Sequence, residues 1–258
     1  LRLSPKIRIF LSFGSFALAV VAIIGKMISH NKRFLMNKTI LEVSNVTKKV
    51  TSPEGELTIV NDISLSLEEG VFASILGPSG SGKTTLLAIM AGLDLPSSGS
   101  VKLLDKEITS LNEDKRAQIR SKDVGFVFQS FHLLPRLSAL DNVMMPLEIL
   151  GAKDAKERAL KALDEVGLSK RTGHVPHQLS GGEKQRVAIA RAMVKAPSIL
   201  FADEPTGNLD QSSTDNILEL LLGINQQTKT TLVVVTHDQQ LAARSNMVFE
   251  LQEGKLKC

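Results

Sequence analysis

The sequence contains no tryptophan and no tyrosine, and its single cysteine is residue 258. One cysteine cannot form a disulfide bond within the chain, so a disulfide-stabilised scaffold is excluded. Hydrophobic residues make up 43% of the 258 residues and charged residues 22%. These fractions are typical of a globular protein and exclude a disordered chain.

Acidic residues are absent from the first 35 positions, which contain six basic residues. The other positions hold 25 basic and 27 acidic residues, so their net charge is about −2. The overall pI of 9.1 therefore reflects the N-terminal segment. We accordingly expect no nucleic-acid partner, because such proteins carry a basic surface on the folded domain itself.

Residues 9–25 contain no charged side chain and are rich in Phe, Leu, Ala, Val and Ile. Seventeen such residues reach the lower limit for a membrane-spanning helix. Three interpretations are open: a membrane anchor, upstream sequence foreign to the working protein, and a signal peptide, which lacks an evident cleavage site here. Since Met36 precedes the first predicted strand, we predict an N-terminal extension over 1–35 and one domain over 36–258.

Alternating strand and helix patterns predict an α/β domain with a mainly parallel sheet covered on both faces. Ser110 and Glu113 are expected to form a capping box for one helix. Little strand character is found over about 130–195, which we interpret as a helical subdomain. Strands are expected at 40–46, 57–67, 71–76, 124–128, 198–202 and 232–236, and helices at 82–91, 110–120, 138–150, 154–167, 180–194 and 211–225.

The most specific motif is a glycine-rich loop between a predicted strand and a predicted helix. Residues 77–84 fit the phosphate-binding pattern G-x-x-x-x-G-K-S/T. Backbone N–H groups of such a loop converge on phosphate oxygens, and the helix dipole favours their negative charge. We expect Lys83 to reach the β- and γ-phosphates of a nucleotide. The predicted nucleotide-binding residues here are Gly77, Pro78, Ser79, Gly80, Ser81, Gly82, Lys83, Thr84 and Thr85.

Two acidic residues, Asp203 and Glu204, follow an apolar strand directly. The carboxyl ends of strands in α/β sheets are where ligands bind. We predict that Asp203 binds Mg²⁺ together with the Thr84 hydroxyl. Glu204 is then placed to accept a proton from the water that attacks the γ-phosphate.

A second glycine-rich helix start lies at Ser180, Gly181 and Gly182. Such a terminus is a second anion-binding site, because its backbone N–H groups and dipole favour negative charge. One nucleotide loop and one additional terminus in the same chain suggest that two copies meet head to tail. Each copy would then complete the site of the other.

Together these motifs resemble those of ATP-binding-cassette (ABC) ATPases. The segment 179–186 resembles the family signature, Gln129 its Q-loop, 208–210 its D-loop and His237 its switch histidine. Order and spacing match over about 40–255. The resemblance implies a P-loop NTPase fold with an antiparallel β subdomain and a helical subdomain beside the parallel core.

The resemblance also implies roles for individual residues. Gln129 would contact Mg²⁺ and the attacking water, and His237 would contact the γ-phosphate. Ser180 and Gly182 would contact the γ-phosphate bound to the opposite copy, and Asp210 would lie at the dimer interface. The predicted catalytic residues are thus Lys83, Gln129, Glu204 and His237, and the predicted metal ligands are Thr84, Gln129 and Asp203.

The segments 126–143 and 201–210 resemble the Lol-type and macrolide-exporter-type branch of the family. This implies an ATPase subunit that acts with a separate permease at the cytoplasmic face of the bacterial inner membrane. The process would be export, lipoprotein release or a related envelope function. We expect docking through the surface near Gln129 and the segment 131–145, which is rich in Leu, Met and Phe, with a buried core as the alternative role of that segment. The alternative is a regulatory ATPase that drives a membrane partner without transporting a substrate.

One position departs from the family pattern. An aromatic residue usually stacks on adenine shortly after the first strand, and Val50 stands there in this sequence. Base–aromatic stacking is worth about 1–3 kcal/mol in nucleic-acid complexes. We predict ATP as the nucleotide because phosphate contacts dominate, and leave discrimination against GTP open.

Overall fold

The computed structural model describes residues 38–53 and 55–257. The predicted extension over 1–35 therefore lies outside the described residues. Within the described part of the chain, no helix has the length and apolar character needed to span a membrane.

The strands are β1 (Thr39–Ser52), β2 (Gly55–Glu68), β3 (Phe72–Leu76), β4 (Ser98–Leu103), β5 (Lys106–Glu107), β6 (Val124–Val127), β7 (Ile199–Asp203), β8 (Thr231–Thr236), β9 (Met247–Gln252) and β10 (Lys255–Lys257). The helices are α1 (Lys83–Met90), α2 (Glu113–Asp123), α3 (Ala139–Ile149), α4 (Ala155–Glu165), α5 (Gly181–Met193), α6 (Gln211–Thr228) and α7 (Gln239–Ala243). Short 3-10 turns occupy Ile108–Ser110 and Pro176–Gln178.

A four-stranded antiparallel sheet has the strand order β2–β1–β4–β5. In β2 the side chains of Ile63, Leu65 and Leu67 are buried, while Ser64 and Ser66 between them are exposed. This alternation is typical of an antiparallel strand with one face on the core. The implied antiparallel β subdomain is thus present in the fold.

The second sheet has the order β10–β9–β3–β8–β7–β6 and is parallel from β9 to β6. All six residues of β8 are buried. Phe201 and Val235 pack on the side of α1, whereas Leu200 and Val234 pack on the side of α6. The sheet is therefore covered on both faces, as its continuous apolar strands predict.

From residue 128 to residue 198 the structure contains α3, α4 and α5 and no strand. Their shared core includes Val143, Leu147, Ala159, Leu163 and Val187. A capping box begins α3, in which the Asp141 backbone N–H donates to Ser138 Oγ at 3.1 Å. The region predicted to be a helical subdomain is therefore made of helices that pack on one shared core.

The predicted capping box of Ser110 and Glu113 is wrong. Asn112 caps α2 instead, and its Oδ1 accepts a hydrogen bond from the Lys115 backbone N–H at 3.1 Å. The Ser110 hydroxyl donates to the carbonyl of Glu107 within the preceding 3-10 turn, so it is not available to the helix.

Candidate nucleotide-binding and hydrolysis site

The predicted phosphate-binding loop joins β3 to α1, at the carboxyl end of a central parallel strand. Gly82 caps α1 with φ of 97°, a conformation that glycine adopts at low cost. A Cβ at Gly82 would lie 2.6 Å from the carbonyl oxygen of Ile59, and one at Gly77 would lie 2.2 Å from that of Leu251. The loop backbone is therefore held against two strands at positions that only glycine can occupy.

The Lys83 side chain is buried beneath this loop. Its Nζ donates to the carbonyl oxygens of Gly77 at 2.8 Å and Pro78 at 3.0 Å. The Ser81 hydroxyl is also buried and has no hydrogen-bond partner among the described residues. A buried hydroxyl normally has a partner, so this unpaired donor fits a loop built to receive phosphate oxygens.

Thr84 and Asp203 meet although they are 119 positions apart in the chain. The Thr84 hydroxyl, in the first turn of α1, donates to Asp203 Oδ1 at 3.0 Å at the end of β7. Burial raises the pKa of Asp203 above its ordinary value, and the hydrogen bond from Thr84 opposes this shift. A hydroxyl beside a partly desolvated carboxylate is a pair of hard oxygen ligands of the kind that Mg²⁺ prefers.

Glu204 lies between two basic side chains. Its Oε2 is 2.9 Å from His237 Nδ1, and its Oε1 is 3.6 Å from Lys83 Nζ. The Glu204 side chain is 14% exposed and that of His237 is 63% exposed. Glu204 therefore stands inside the site, whereas His237 presents its ring at the surface.

The backbone at Glu204 is in the left-handed region, with φ of 44°. Its N–H donates to the carbonyl of Val235 in β8 at 3.0 Å, and its carbonyl accepts from the Gly207 N–H. Left-handed conformations of non-glycine residues are often retained where a site requires them. Here this conformation begins the turn that follows β7.

Gln129 is exposed and lies two residues beyond the end of β6, beside the segment that follows Glu204. Its carbonyl oxygen accepts a hydrogen bond from Asn208 Nδ2 at 3.1 Å. A Cβ on Gly207 would lie 2.9 Å from Gln129 Nε2, so the two residues are in close contact. Among the described residues, no hydrogen bond joins Gln129 to Thr84 or Asp203.

The second glycine-rich terminus has the predicted helix-capping geometry. Ser180 Oγ accepts from the Glu183 backbone N–H at 3.2 Å, and Glu183 Oε2 accepts from the Ser180 N–H at 2.9 Å. A Cβ at Gly182 would lie 2.9 Å from Ser213 Oγ at the start of α6. The signature segment thus packs against the segment that follows the D-loop of the same chain.

Asp210 caps α6 through three hydrogen bonds from the next helical turn. It accepts from the Ser213 N–H at 3.0 Å, the Ser213 hydroxyl at 2.8 Å and the Ser212 hydroxyl at 2.9 Å. Hydrogen bonds to the charged form, above all those from Ser213, lower the pKa of Asp210 to about 2. Asp210 is therefore ionised at neutral pH.

Sequence reasoning missed Gln185, which lies in α5 and is fully buried. Its Nε2 donates to the carbonyl oxygen of Pro205, directly after Glu204, at 2.7 Å. The one available signal was a polar residue on a helix side whose neighbours Ala188 and Ile189 are apolar. Gln185 ties the signature helix to the turn that carries Glu204.

Val50 pairs with Leu57 across the β1–β2 ladder, and Leu57 is exposed. Neither β1 nor β2 contains an aromatic residue. The structure therefore has an aliphatic pair on this hairpin, where the family pattern places an aromatic residue.

The phosphate loop, the acidic pair after β7 and the histidine after β8 define a P-loop NTPase with groups placed for nucleotide hydrolysis. A family profile described as "ABC transporter" matches residues 60–207. The chain belongs to this family, and it is an ATP-binding and ATP-hydrolysing ABC ATPase.

Individual relatives agree with this membership. "Uncharacterized ABC transporter ATP-binding protein YbbA" of Escherichia coli K12 is 49% identical over 85% of this chain and 97% of its own length. "Lipoprotein-releasing system ATP-binding protein LolD" of Legionella pneumophila is 46% identical over 86% of this chain and 98% of its own length. The predicted similarity to the Lol-type branch is confirmed.

Two solved structures of the cassette MJ0796, each 39% identical, cover 85% of this chain and 97% of their own. One is described as a dimeric post-hydrolysis state bound to ADP and Pi, with a TM-score of 0.79. The other is described as the dimeric structure of MJ0796, with a TM-score of 0.80. The predicted ABC ATPase fold is confirmed.

Proposed function

We propose that two copies of this chain bind ATP head to tail and drive a membrane permease in lipoprotein release or another export process. The observation that carries this proposal is the grouping of Lys83, Thr84, Asp203, Glu204 and His237 at the carboxyl ends of β3, β7 and β8. The relatives whose names refer to lipoprotein release and to ABC transport support the proposal.

In this proposal the buried Lys83 holds the β- and γ-phosphates, and its carbonyl bonds to Gly77 and Pro78 keep the ammonium under the loop. Glu204 accepts a proton from the attacking water. His237, held by Glu204 Oε2, contacts the γ-phosphate from its exposed ring.

Thr84 and Asp203 would hold Mg²⁺ through their paired oxygens, and Gln129 would supply a third ligand. When bound there, the ion would neutralise phosphate charge. The raised pKa of Asp203 supports this assignment, because a nearby cation offsets the cost of a buried carboxylate. Ser81, with its unpaired buried hydroxyl, would bind a phosphate oxygen beside it.

The proposed shared site gives a role to Ser180 and Gly182, which lie at the start of α5 and not at the phosphate loop before α1. Ser180 occupies a capping box and packs by the start of α6 in its own chain. In the proposed dimer this terminus meets the γ-phosphate of the opposite copy, and Asp210 lies at the interface. The dimeric descriptions of the MJ0796 structures support this arrangement.

The permease would dock through the segment from Phe131 to Met145, placing the protein at the cytoplasmic face of the bacterial inner membrane. Leu134 is 42% exposed, whereas Ala139 and Val143 are buried in the core. The docking surface is therefore the first part of this segment rather than all of it. No observation on the described residues favours the regulatory alternative.

The test exchanges the two halves of the shared site. We expect Ser180→Arg to abolish hydrolysis while ATP still binds, and Lys83→Ala to abolish it through loss of phosphate contacts. A random mixture of the two variants contains heterodimers with one intact site, so it should recover about a quarter of the parent rate.

The matched control is Ser169→Arg. Ser169 is an exposed serine of the same helical region, and its hydroxyl donates a hydrogen bond to Asp164. This variant should hydrolyse ATP at the parent rate. Normal hydrolysis by Ser180→Arg alone, or no recovery on mixing two folded variants, would contradict the shared site.

A further inference from the structure

Two consecutive residues just beyond Gln129 have left-handed backbones. Phe131 has φ of 60° and His132 has φ of 45°. Left-handed conformations are unfavourable for residues with a Cβ, and a pair in succession needs support from its surroundings. Local hydrogen bonds, from the Phe131 N–H to Phe128 and from the His132 N–H to Ser130, close the turn. These bonds leave the carbonyls of Phe131 and His132 for other partners.

Arg191 meets both of these carbonyls. Its Nη1 donates to the carbonyl oxygen of His132 at 2.6 Å, and its Nη2 donates to that of Phe131 at 2.9 Å. The two N–H groups of one planar guanidinium are fixed relative to each other, so they fix the relative orientation of two successive peptides. The guanidinium is half-buried, and burial lowers the pKa of Arg191.

Short contacts connect the turn to Gln129, whose role in hydrolysis rests on the proposed function. The Phe128 ring stacks on His132 at 4.5 Å and on Phe126 at 4.2 Å. Between Phe128 and the turn lies Gln129, whose carbonyl is bound by Asn208. A change in the turn at Phe131 therefore shifts Gln129 relative to the segment that follows Glu204.

We propose that Arg191 is a positioning residue for ATP hydrolysis, because it holds the left-handed turn at Phe131 and His132 and thereby fixes Gln129. Arg191 lies in the last turn of α5, the helix that begins beside Ser180. The same contact makes the end of α5 and the Q-loop move as one unit.

The first test replaces the donors. Arg191→Gln should lower kcat for ATP hydrolysis about tenfold to hundredfold with little change in KM, since a small misplacement of a catalytic group costs that much. Arg191→Lys keeps the charge and can still donate to one carbonyl. Its kcat should therefore lie between that of the parent and that of Arg191→Gln. Amide hydrogen exchange at 131–134 should increase in Arg191→Gln and stay unchanged at 77–84.

Arg158→Gln is the matched control. Arg158 also donates to a backbone carbonyl, that of Val194 at 3.0 Å, and it lies in the same helical region. Loss of this bond should leave kcat and exchange at 131–134 at parent values. Equal loss of kcat in both variants would overturn the proposal, because the effect would then be general destabilisation.

A second-site change gives an independent test. Glycine adopts left-handed backbone conformations at little cost, so Phe131→Gly should need the clamp less. Arg191→Gln should therefore lower kcat less in the Phe131→Gly background than in the parent. Strict additivity of the two changes, or unchanged exchange at 131–134 in a folded Arg191→Gln protein, would refute a positioning role.

Discussion

Replacing Glu204 with Gln removes the proposed base while changing little else in the site. The amide has the size of the carboxylate, and its oxygen can still accept a hydrogen bond from His237 Nδ1, which is 2.9 Å from Glu204 Oε2. Glutamine also fits the left-handed backbone at this position as well as glutamate does. The substitution therefore tests proton acceptance and not the shape of the turn.

The expected magnitude follows from the role. General-base catalysis contributes about 10²–10⁴-fold, which corresponds to roughly 3–5 kcal/mol in activation free energy. ATP binding should persist, because Lys83 keeps its bonds to Gly77 and Pro78 and loses an acidic neighbour 3.6 Å away. We thus expect hydrolysis to fall without loss of affinity.

The assay measures phosphate release at saturating ATP and Mg²⁺, ATP affinity by calorimetry, and dimerisation with ATP by size-exclusion chromatography. Glu250→Gln is the control, since Glu250 is an exposed acid at the cleft beside Gly77. It should keep the parent rate. Hydrolysis by Glu204→Gln at that rate would refute the assignment of the base.

Three other predictions concern stability and domain limits. Asp210 has a depressed pKa, so its contribution to stability is complete above about pH 4 and is lost as pH falls through about 2. Urea unfolding should therefore show that Asp210→Asn differs less from the parent at pH 2.5 than at pH 5, and an equal difference at both pH values would contradict this. Asn142→Ala should lower the free energy of unfolding by about 1–3 kcal/mol, because the buried Asn142 side chain forms hydrogen bonds with the backbone of Leu134, Leu137 and Ser138. Asn61→Ala is the control. Deleting residues 1–35 should leave a folded ATPase, measured by phosphate release; loss of hydrolysis by the folded truncated protein would show that the extension belongs to the working domain.

Local patterns were sufficient for much of the fold. The alternation in β2, the apolar runs of β3, β7 and β8, and the glycine-rich starts of α1 and α5 all depend on neighbouring residues. Such signals are readable because a strand or helix with a strong period needs little help from distant parts of the chain. The parallel core and the phosphate loop were therefore predictable.

Other strands depend on distant partners and were not predicted. In β9 both Met247 and Val248 are exposed, so the strand lacks the expected alternation and is defined by pairing with β3. The strand β4 begins with serines and a glycine and is held by β1. In α4 the helical spacing of Ala159, Leu160, Leu163 and Val166 predicts one buried face, but Leu160 is 39% exposed and Ala162 is buried instead. Strand formation in β4 and β9 therefore depends on pairing with neighbouring strands more than on local sequence.

The site residues were predicted as motifs, but their contacts were not. Glu204 and His237 are 33 positions apart, and sequence spacing alone does not place one carboxylate oxygen on the histidine Nδ1. Gln185 and Arg191 were missed because α5 also carries Glu183, Lys184 and Arg186, so nothing in the local pattern distinguishes these two polar residues. Their partners are backbone carbonyls, which leave no mark on the sequence.

These missed contacts give α5 a particular position in the molecule. The helix spans thirteen residues, about 20 Å in length. Ser180 caps its start, Gln185 holds the carbonyl after Glu204, and Arg191 holds the turn after Gln129. Because a helix of this length is rigid, a displacement at Ser180 is carried to both loops together. In the proposed dimer, contact of Ser180 with the ATP of the second copy would thus move the turn after Glu204 and the turn after Gln129 together.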